Sequence, residues 1–278
     1  NQHHRRFACI EEKSLLKFKG LPDDPAEFIV SGLDEFFRSL FSGSDTERND
    51  DYFQIATALS HPIANIVIIR DPSNLPLVEK LARERALATF PTALCLLQSP
   101  TSELNATLKQ TGYLDTEIMH SMAMDIATMA ESDTQSAFTL REVDGSKHDE
   151  WVDTMAAGYE LPREFVDRIG PDSNGPRNPV PNEHYHYFIA YHQNQPVATS
   201  TLIIRQRIIG VYNISTRPEF RGKGLGTFVT RESIARTASK GYQTAILQAS
   251  EMGRSIYERI GFSSVGTFPF YFHNGADG

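Results

Sequence analysis

The segment RPEFRGKGLGTF, residues 217–228, holds the residue types and spacing that most directly imply chemistry. Gly222, Gly224 and Gly226 leave the backbone without Cβ atoms, so consecutive N–H groups are free to converge on one concavity. A helical pattern begins at Leu225, and the N-terminal end of a helix adds a partial positive charge behind that cradle. Arg221 and Lys223 add formal charge. Such a stretch can hold a pyrophosphate. A plain Gly-rich turn is the competing reading, but glycines at alternate positions would make it needlessly floppy.

Two familiar phosphate loops fail on spacing. A P-loop needs Ser or Thr after Gly-Lys to reach magnesium, and Lys223 is followed by Gly224. A dinucleotide fingerprint needs a third glycine at 227, which is Thr227, and an acidic residue ending the next strand.

Elements able to position the loop can be read on either side. In the second half a strand is expected over Phe138–Val143, then a helix from Lys147 to about Ala157, broken by GYELP. A short helix carries Phe165, Val166 and Ile169. Residues 170–183 are rich in Pro and Gly and read as loop. HYHYFIAY and VATSTLIIR read as a hairpin, and IIGVYNIS (208–215) leads into the glycines. A helix from Leu225 to about Lys240 stops at Gly241. Strand TAILQA (244–249), a helix over about 251–259 and a final strand pair, FSSVG and FPFYF, follow. The alternation predicts an α/β fold with a mixed sheet covered by helices.

The first half echoes this order at an offset of about 150 residues: IVIIR, a helix LVEKLARERALA, a strand TALCLLQS, a helix SELNATLKQ, then Gly-Tyr. The echo suggests a duplicated unit. The first copy lacks the equipment, because residues 70–82, RDPSNLPLVEKLA, contain no glycine. Proline and branched side chains there offer no N–H cradle. The organisation expected is a first domain over 1–127, a small polar linker over 128–137 and a second domain over 138–278.

Composition narrows the classes. The chain has 278 residues, with 40% hydrophobic and 22% charged residues, as in a soluble globular protein. The formal net charge of −8 lies in residues 1–137, where twelve Lys and Arg face twenty Asp and Glu; the remainder balances. Neither half offers a basic footprint, so no nucleic-acid partner is expected. The longest apolar runs are a few residues, far short of the ~20 that cross a bilayer, so no membrane partner is expected either. The N-terminal NQHHRRF lacks an apolar run and reads as a trimmed end rather than a signal peptide. Cys9 and Cys95 are too few for a disulfide scaffold, which points to a reducing, cytoplasmic compartment. Cys95 sits mid-strand and reads as a small buried hydrophobe. His184 and His186 alternate on one strand without an evident third ligand, so no metal is expected.

Arg221, Gly224 and Gly226 fit Arg-x-x-Gly-x-Gly, and LQASEMGRSIYERIGF follows at 247–262. With both motifs in order, residues 138–278 resemble the GNAT superfamily of acetyl-CoA-dependent N-acetyltransferases, and the first half looks like a degenerate copy. The resemblance implies two tandem GNAT-like domains, each with a mixed central sheet flanked by helices. It implies acetyl-CoA as co-substrate and direct attack of a small-molecule or peptide primary amine on the thioester, in a monomer or a homodimer. The strand before the glycines would splay from the next one and admit pantetheine beside the backbone of Asn213, Ile214 and Ser215. The N–H groups of Arg221, Gly222, Lys223, Gly224, Leu225, Gly226 and Thr227 would hold the pyrophosphate.

Tyr257 matches the family tyrosine beside the thioester sulfur, where a phenol can protonate the departing thiolate. Its other reading is a packed aromatic. The corresponding place in the first half is Leu108. Ser250 stands where many members carry Asn, and either contacts the coenzyme or caps the helix from Glu251. Glu160, in the GYELP break, is the first choice to take the proton of the amine. The rival from another class is an acyl-CoA-binding module without catalysis. Transfer to a hydroxyl or to an aminoglycoside-type polycation is a weaker one.

Overall fold

In a computed structural model, residues 21–41, 45–98, 100–130, 137–171 and 184–275 are described. Cys9, most of the linker at 131–136 and the Pro/Gly loop at 172–183 lie outside them.

The described chain builds one eleven-stranded sheet. Its first half supplies α1 (Pro25–Leu40), β1 (Thr46–Arg48), β2 (Tyr52–Ile55), β3 (Ile66–Ile69), α2 (Leu75–Ala86), β4 (Thr92–Leu96), α3 (Ser102–Gln110) and β5 (Leu114–Asp125). The second half supplies β6 (Phe138–Val143), α4 (His148–Tyr159), α5 (Arg163–Asp167), β7 (Tyr185–His192), β8 (Gln195–Arg205), β9 (Ile208–Thr216), α6 (Leu225–Ala238), β10 (Thr244–Ser250), α7 (Glu251–Ile260) and β11 (Ser263–His273). Sequence reading did not register α1, although Asp24 caps it by accepting from the Glu27 N–H at 2.9 Å and Pro25 opens it.

The order across the sheet is β1-β2-β3-β4-β11-β5-β10-β9-β8-β7-β6. The two mixed sheets expected are therefore fused, and the last strand of each half is exchanged. β11 lies against β4 of the first half, and β5 lies against β10 of the second. Outward from the β5–β11 pair, each side shows an antiparallel, a parallel and an antiparallel pairing.

The final strand pair expected at the C-terminus is instead the single strand β11. A register shift between Ser264 and Gly266 absorbs the glycine break while both parts keep pairing with β5. An extra residue in a bulge lets one strand continue through a sequence that reads as a turn.

Each sheet face has its own cover. Ile209, Val211, Leu247 and Met122 meet Leu225, Val229 and Ile260 from α6 and α7, and Val67, Leu94 and Tyr271 meet Leu81 and Leu104 from α2 and α3. On the opposite face Phe53, Ile68, Phe268 and Tyr187 meet α1, α4 and α5 through Phe37, Trp151 and Phe165. Trp151 is fully buried and meets Tyr187 edge-on at 5.3 Å between centroids. This face-down packing seats the C-terminal end of α4 over the end of β9.

Candidate active site

The site begins where a β ladder stops. Parallel β9 and β10 pair from Ile208–Thr244 to Val211–Leu247, and the next register position, Tyr212 with Gln248, is no longer part of the ladder. On its other edge β9 carries a bulge, because Thr201 opposes Tyr212 while Thr199 opposes Ser215. Asn213 takes up the extra length at φ +54, a left-handed conformation that Asn adopts more readily than most residues. Thr199 Oγ1 donates to the Asn213 carbonyl at 3.0 Å, and Asn213 Nδ2 donates to Thr201 Oγ1 at 3.1 Å. The extra residue resets the side-chain alternation. Ile214 joins the core under α6 and α7, and Ser215 turns to the α4 face, where its Oγ donates to the Met155 carbonyl at 3.2 Å. Residues 212–216 and 248–250 thus form two diverging walls.

The glycine loop lies at the open end. Gly222 and Gly224 have φ +74 and +78, and a Cβ on either would meet nothing within 4 Å among the described residues. Glycine is required there by conformation, and the space beside it is open. Gly224 occupies the N-cap of α6, and no side chain among the described residues caps the helix. Its first N–H groups therefore remain available to an anion. Leu225 anchors the helix start in the core at 1% exposure, whereas Gly226 is oriented differently. A Cβ on Gly226 would meet Ile256 at 3.8 Å, an ordinary contact. Thr227 is half-buried in the first turn. Lys223 Nζ donates to the Glu219 carbonyl at 3.1 Å and sits 4.7 Å from the Phe220 ring centroid.

The end of α4 closes on this loop. Gly158 approaches β9 so closely that a Cβ on it would stand 1.9 Å from Ser215 Oγ and 2.9 Å from the Thr216 nitrogen. Arg221 Nη2 donates to the Gly158 carbonyl at 2.7 Å, placing a cation at a helix C-terminus. Glu160 caps α4 in the left-handed conformation, φ 57, and pairs with Arg221 at 3.5 Å with its side chain 73% exposed. Two sequence candidates, Glu160 and Arg221, are thereby brought together.

Tyr257 projects from α7 and packs edge-on to Phe262 at 6.1 Å. Desolvation raises its pKa, and the nearby Tyr159 hydroxyl raises it further. Tyr159, at the end of α4, is 44% exposed. An ordinary phenol already holds its proton at neutral pH, so Tyr257 carries one to donate. Ser250 Oγ accepts from the Gly253 N–H at 3.2 Å and caps α7.

In the first half the strands end with their pairing: the β3–β4 ladder stops at Ile69–Leu96, and neither strand continues beyond it as β9 and β10 do. Asn74 caps α2, its side chain accepting from the Leu77 N–H at 3.4 Å. Leu108 is fully buried. Cys95 is a buried free thiol whose pKa burial pushes up. His186 Nδ1 lies 2.7 Å from Glu142, and among the described residues no group of three His, Cys, Asp or Glu could hold a metal. No helix among them is long and apolar enough to cross a membrane.

Sequence reading missed Gly158, Tyr159 and Gln248. The Gly-Tyr before ELP was visible only as a helix break, since the contact that requires Gly158 joins residues about sixty apart. Gln248 follows the last residue of a strand ladder whose length no local pattern encodes.

Residues 183–264 match the family model of the acetyltransferase (GNAT) domain. The GCN5-related N-acetyltransferase from Kribbella flavida aligns with a TM-score of 0.58 at 16% identity, over 91% of this chain and 96% of that one. A GCN5-related N-acetyltransferase from Sphaerobacter thermophilus gives 0.59 at 14% identity, over 92% and 98%. A functionally unknown conserved protein from Staphylococcus epidermidis gives 0.59 at 13% identity, over 86% and 97%. At these identities the likeness is one of fold. No curated protein matches the sequence. The chain thus matches the GNAT acetyltransferase domain over residues 183–264, and it shares its fold over most of its length with GCN5-related N-acetyltransferases.

Proposed function

We propose that the chain transfers the acetyl group of acetyl-CoA to a primary amine. The observation that carries this reading is the opening of the β9–β10 ladder after Val211–Leu247, next to a glycine cradle and an uncapped helix start. The Arg221 N–H donates to the Pro218 carbonyl at 3.2 Å and is not available, so the N–H groups from Gly222 to Thr227 hold the pyrophosphate, and the side chains of Arg221 and Lys223 balance its charge. The backbone of Asn213, Ile214 and Ser215 pairs with the pantetheine arm. The Ser250 hydroxyl, while capping α7, keeps a proton to donate to the coenzyme. The thioester supplies an acyl group whose transfer releases a thiolate, and Tyr257 donates the proton that the thiolate takes up. Glu160, exposed to solvent, receives the proton of the amine through water. The Asn74 cap on α2 and the lack of glycine in residues 70–82 support reading the first half as a copy that has lost the coenzyme.

The test is turnover. Purified chain with acetyl-CoA and a panel of primary amines should release free coenzyme A in proportion to acetylated product. Saturable acetyl-CoA binding with no turnover over a broad panel would instead make the chain a binding module.

A further inference from the structure

A cavity of about 330 Å³ lies between α1 and the sheet, and its walls include Gly32, Glu35, Phe36, Arg205, Tyr212 and Ile246. Tyr212 is the first β9 residue past the ladder, so one end of the cavity abuts the vertex of the open walls. The volume is at the small end of the ~300–1,000 Å³ usual for small-molecule sites.

Arg205 gives the cavity its chemistry. Its Nη2 pairs with Glu35 at 2.8 Å, and its guanidinium lies 4.6 Å from the Phe28 ring centroid. Nη1 is buried and has no hydrogen-bond partner among the described residues. Buried donors are rarely left without an acceptor, and a charged one least of all. Arg205 Nη1 and the Tyr212 hydroxyl would each stand 3.3 Å from a Cβ built on Gly32, so both polar atoms lie close to the α1 backbone at that residue. Around them Phe36 and Ile246 are apolar. Phe36 stacks on Tyr212 at 4.7 Å with the rings 3° from parallel.

We infer that this cavity receives the acceptor, and that the acceptor is a small amino carboxylate with an apolar side chain, its carboxylate on Arg205 Nη1 and its amine toward the open ladder at Tyr212. This rests on the acetyl-transfer reading for what happens to the amine, but the carboxylate site stands on Arg205 alone. Glu35 already balances part of the Arg205 charge, so the site suits a zwitterion better than a polycation.

The experiment titrates L-leucine, L-phenylalanine, isopentylamine and phenethylamine by calorimetry into the full chain, with and without saturating coenzyme A. The two amino acids should bind at least ~10-fold more tightly than the amines that lack their carboxylate, the scale of one charge-assisted hydrogen bond. Arg205→Met should erase the difference, and Arg205→Lys should keep part of it. Equal binding of acid and decarboxylated amine, an undiminished preference in Arg205→Met, or no binding of any of the four overturns the inference. An Arg205-dependent preference without coenzyme A binding would keep the carboxylate site and sink the acetyl-transfer reading. Coenzyme A binding without the preference would do the reverse.

Discussion

Tyr212 and Gln248 stand at the register position just past the last β9–β10 pair, one on each wall of the opening. Gln248 Nε2 donates to the Ile29 carbonyl of α1 at 2.8 Å. One amide thus ties the vertex of the opening to the helix that roofs the neighbouring cavity. Gln248→Leu preserves bulk but removes the amide, while the Ile29 carbonyl keeps the bond from Leu33 within α1. A hydrogen bond of this kind contributes about 0.5–1.5 kcal/mol, so chemical denaturation should show a loss of that size. An unchanged midpoint would show that the amide adds nothing to stability.

Gly158 is where α4 touches the wall of the slot. A methyl group there would press on Ser215 and on Thr216 backbone, which cannot yield as a flexible side-chain tip can. Gly158→Ala should destabilise the chain by about 1–3 kcal/mol and weaken acetyl-CoA binding together, because the helix must lift from β9 and carry Arg221 with it. Calorimetry and thermal denaturation on the same variant check both. A loss of neither would mean that the helix end is free to shift.

Tyr257→Phe keeps the ring that packs on Phe262 and removes one hydroxyl. If that hydroxyl protonates the thiolate, kcat should fall by ~10²–10⁴-fold with KM for acetyl-CoA nearly unchanged. Because desolvation raises the Tyr257 pKa above the ordinary phenol range, the wild-type rate should show no decline from this group below about pH 10. A Phe variant within a few-fold of wild type would leave the proton to water.

Much of this site was legible in the sequence. The positive φ at Gly222 and Gly224 and the Ser250 cap follow from local residue types. The exchange of β5 and β11 was not, since both strands read as ends of their own halves and their partners lie over a hundred residues away. The Arg205 niche was invisible for the same reason. It needs Gly32, on an unregistered helix, to meet Tyr212 through the fold.

Tyr113 is 1% exposed, bonds Thr92 at 3.3 Å, and has its pKa pushed up to about 12 by burial. The folded chain thus holds this proton more tightly than the unfolded chain, where a phenol titrates near ~10. Its contribution is complete below pH 10 and is lost as pH rises toward 12, at most about 3 kcal/mol. Denaturant midpoints at pH 8 and pH 11 should show a smaller alkaline loss in Tyr113→Phe than in wild type. Parallel losses would place the sensitivity in other tyrosines.

The most direct measurement of the central claim is calorimetric titration of acetyl-CoA into wild type, Gly224→Val and Gly226→Ala. Gly224 faces open space at φ +78, so Val both strains the loop and fills the cradle. Gly226 meets only Ile256 at ordinary contact distance, so Ala should fit. The account predicts saturable wild-type binding, loss of binding in Gly224→Val with the fold retained by circular dichroism, and affinity within a few-fold in Gly226→Ala. Equal affinity in a folded Gly224→Val, or no wild-type binding, would contradict it.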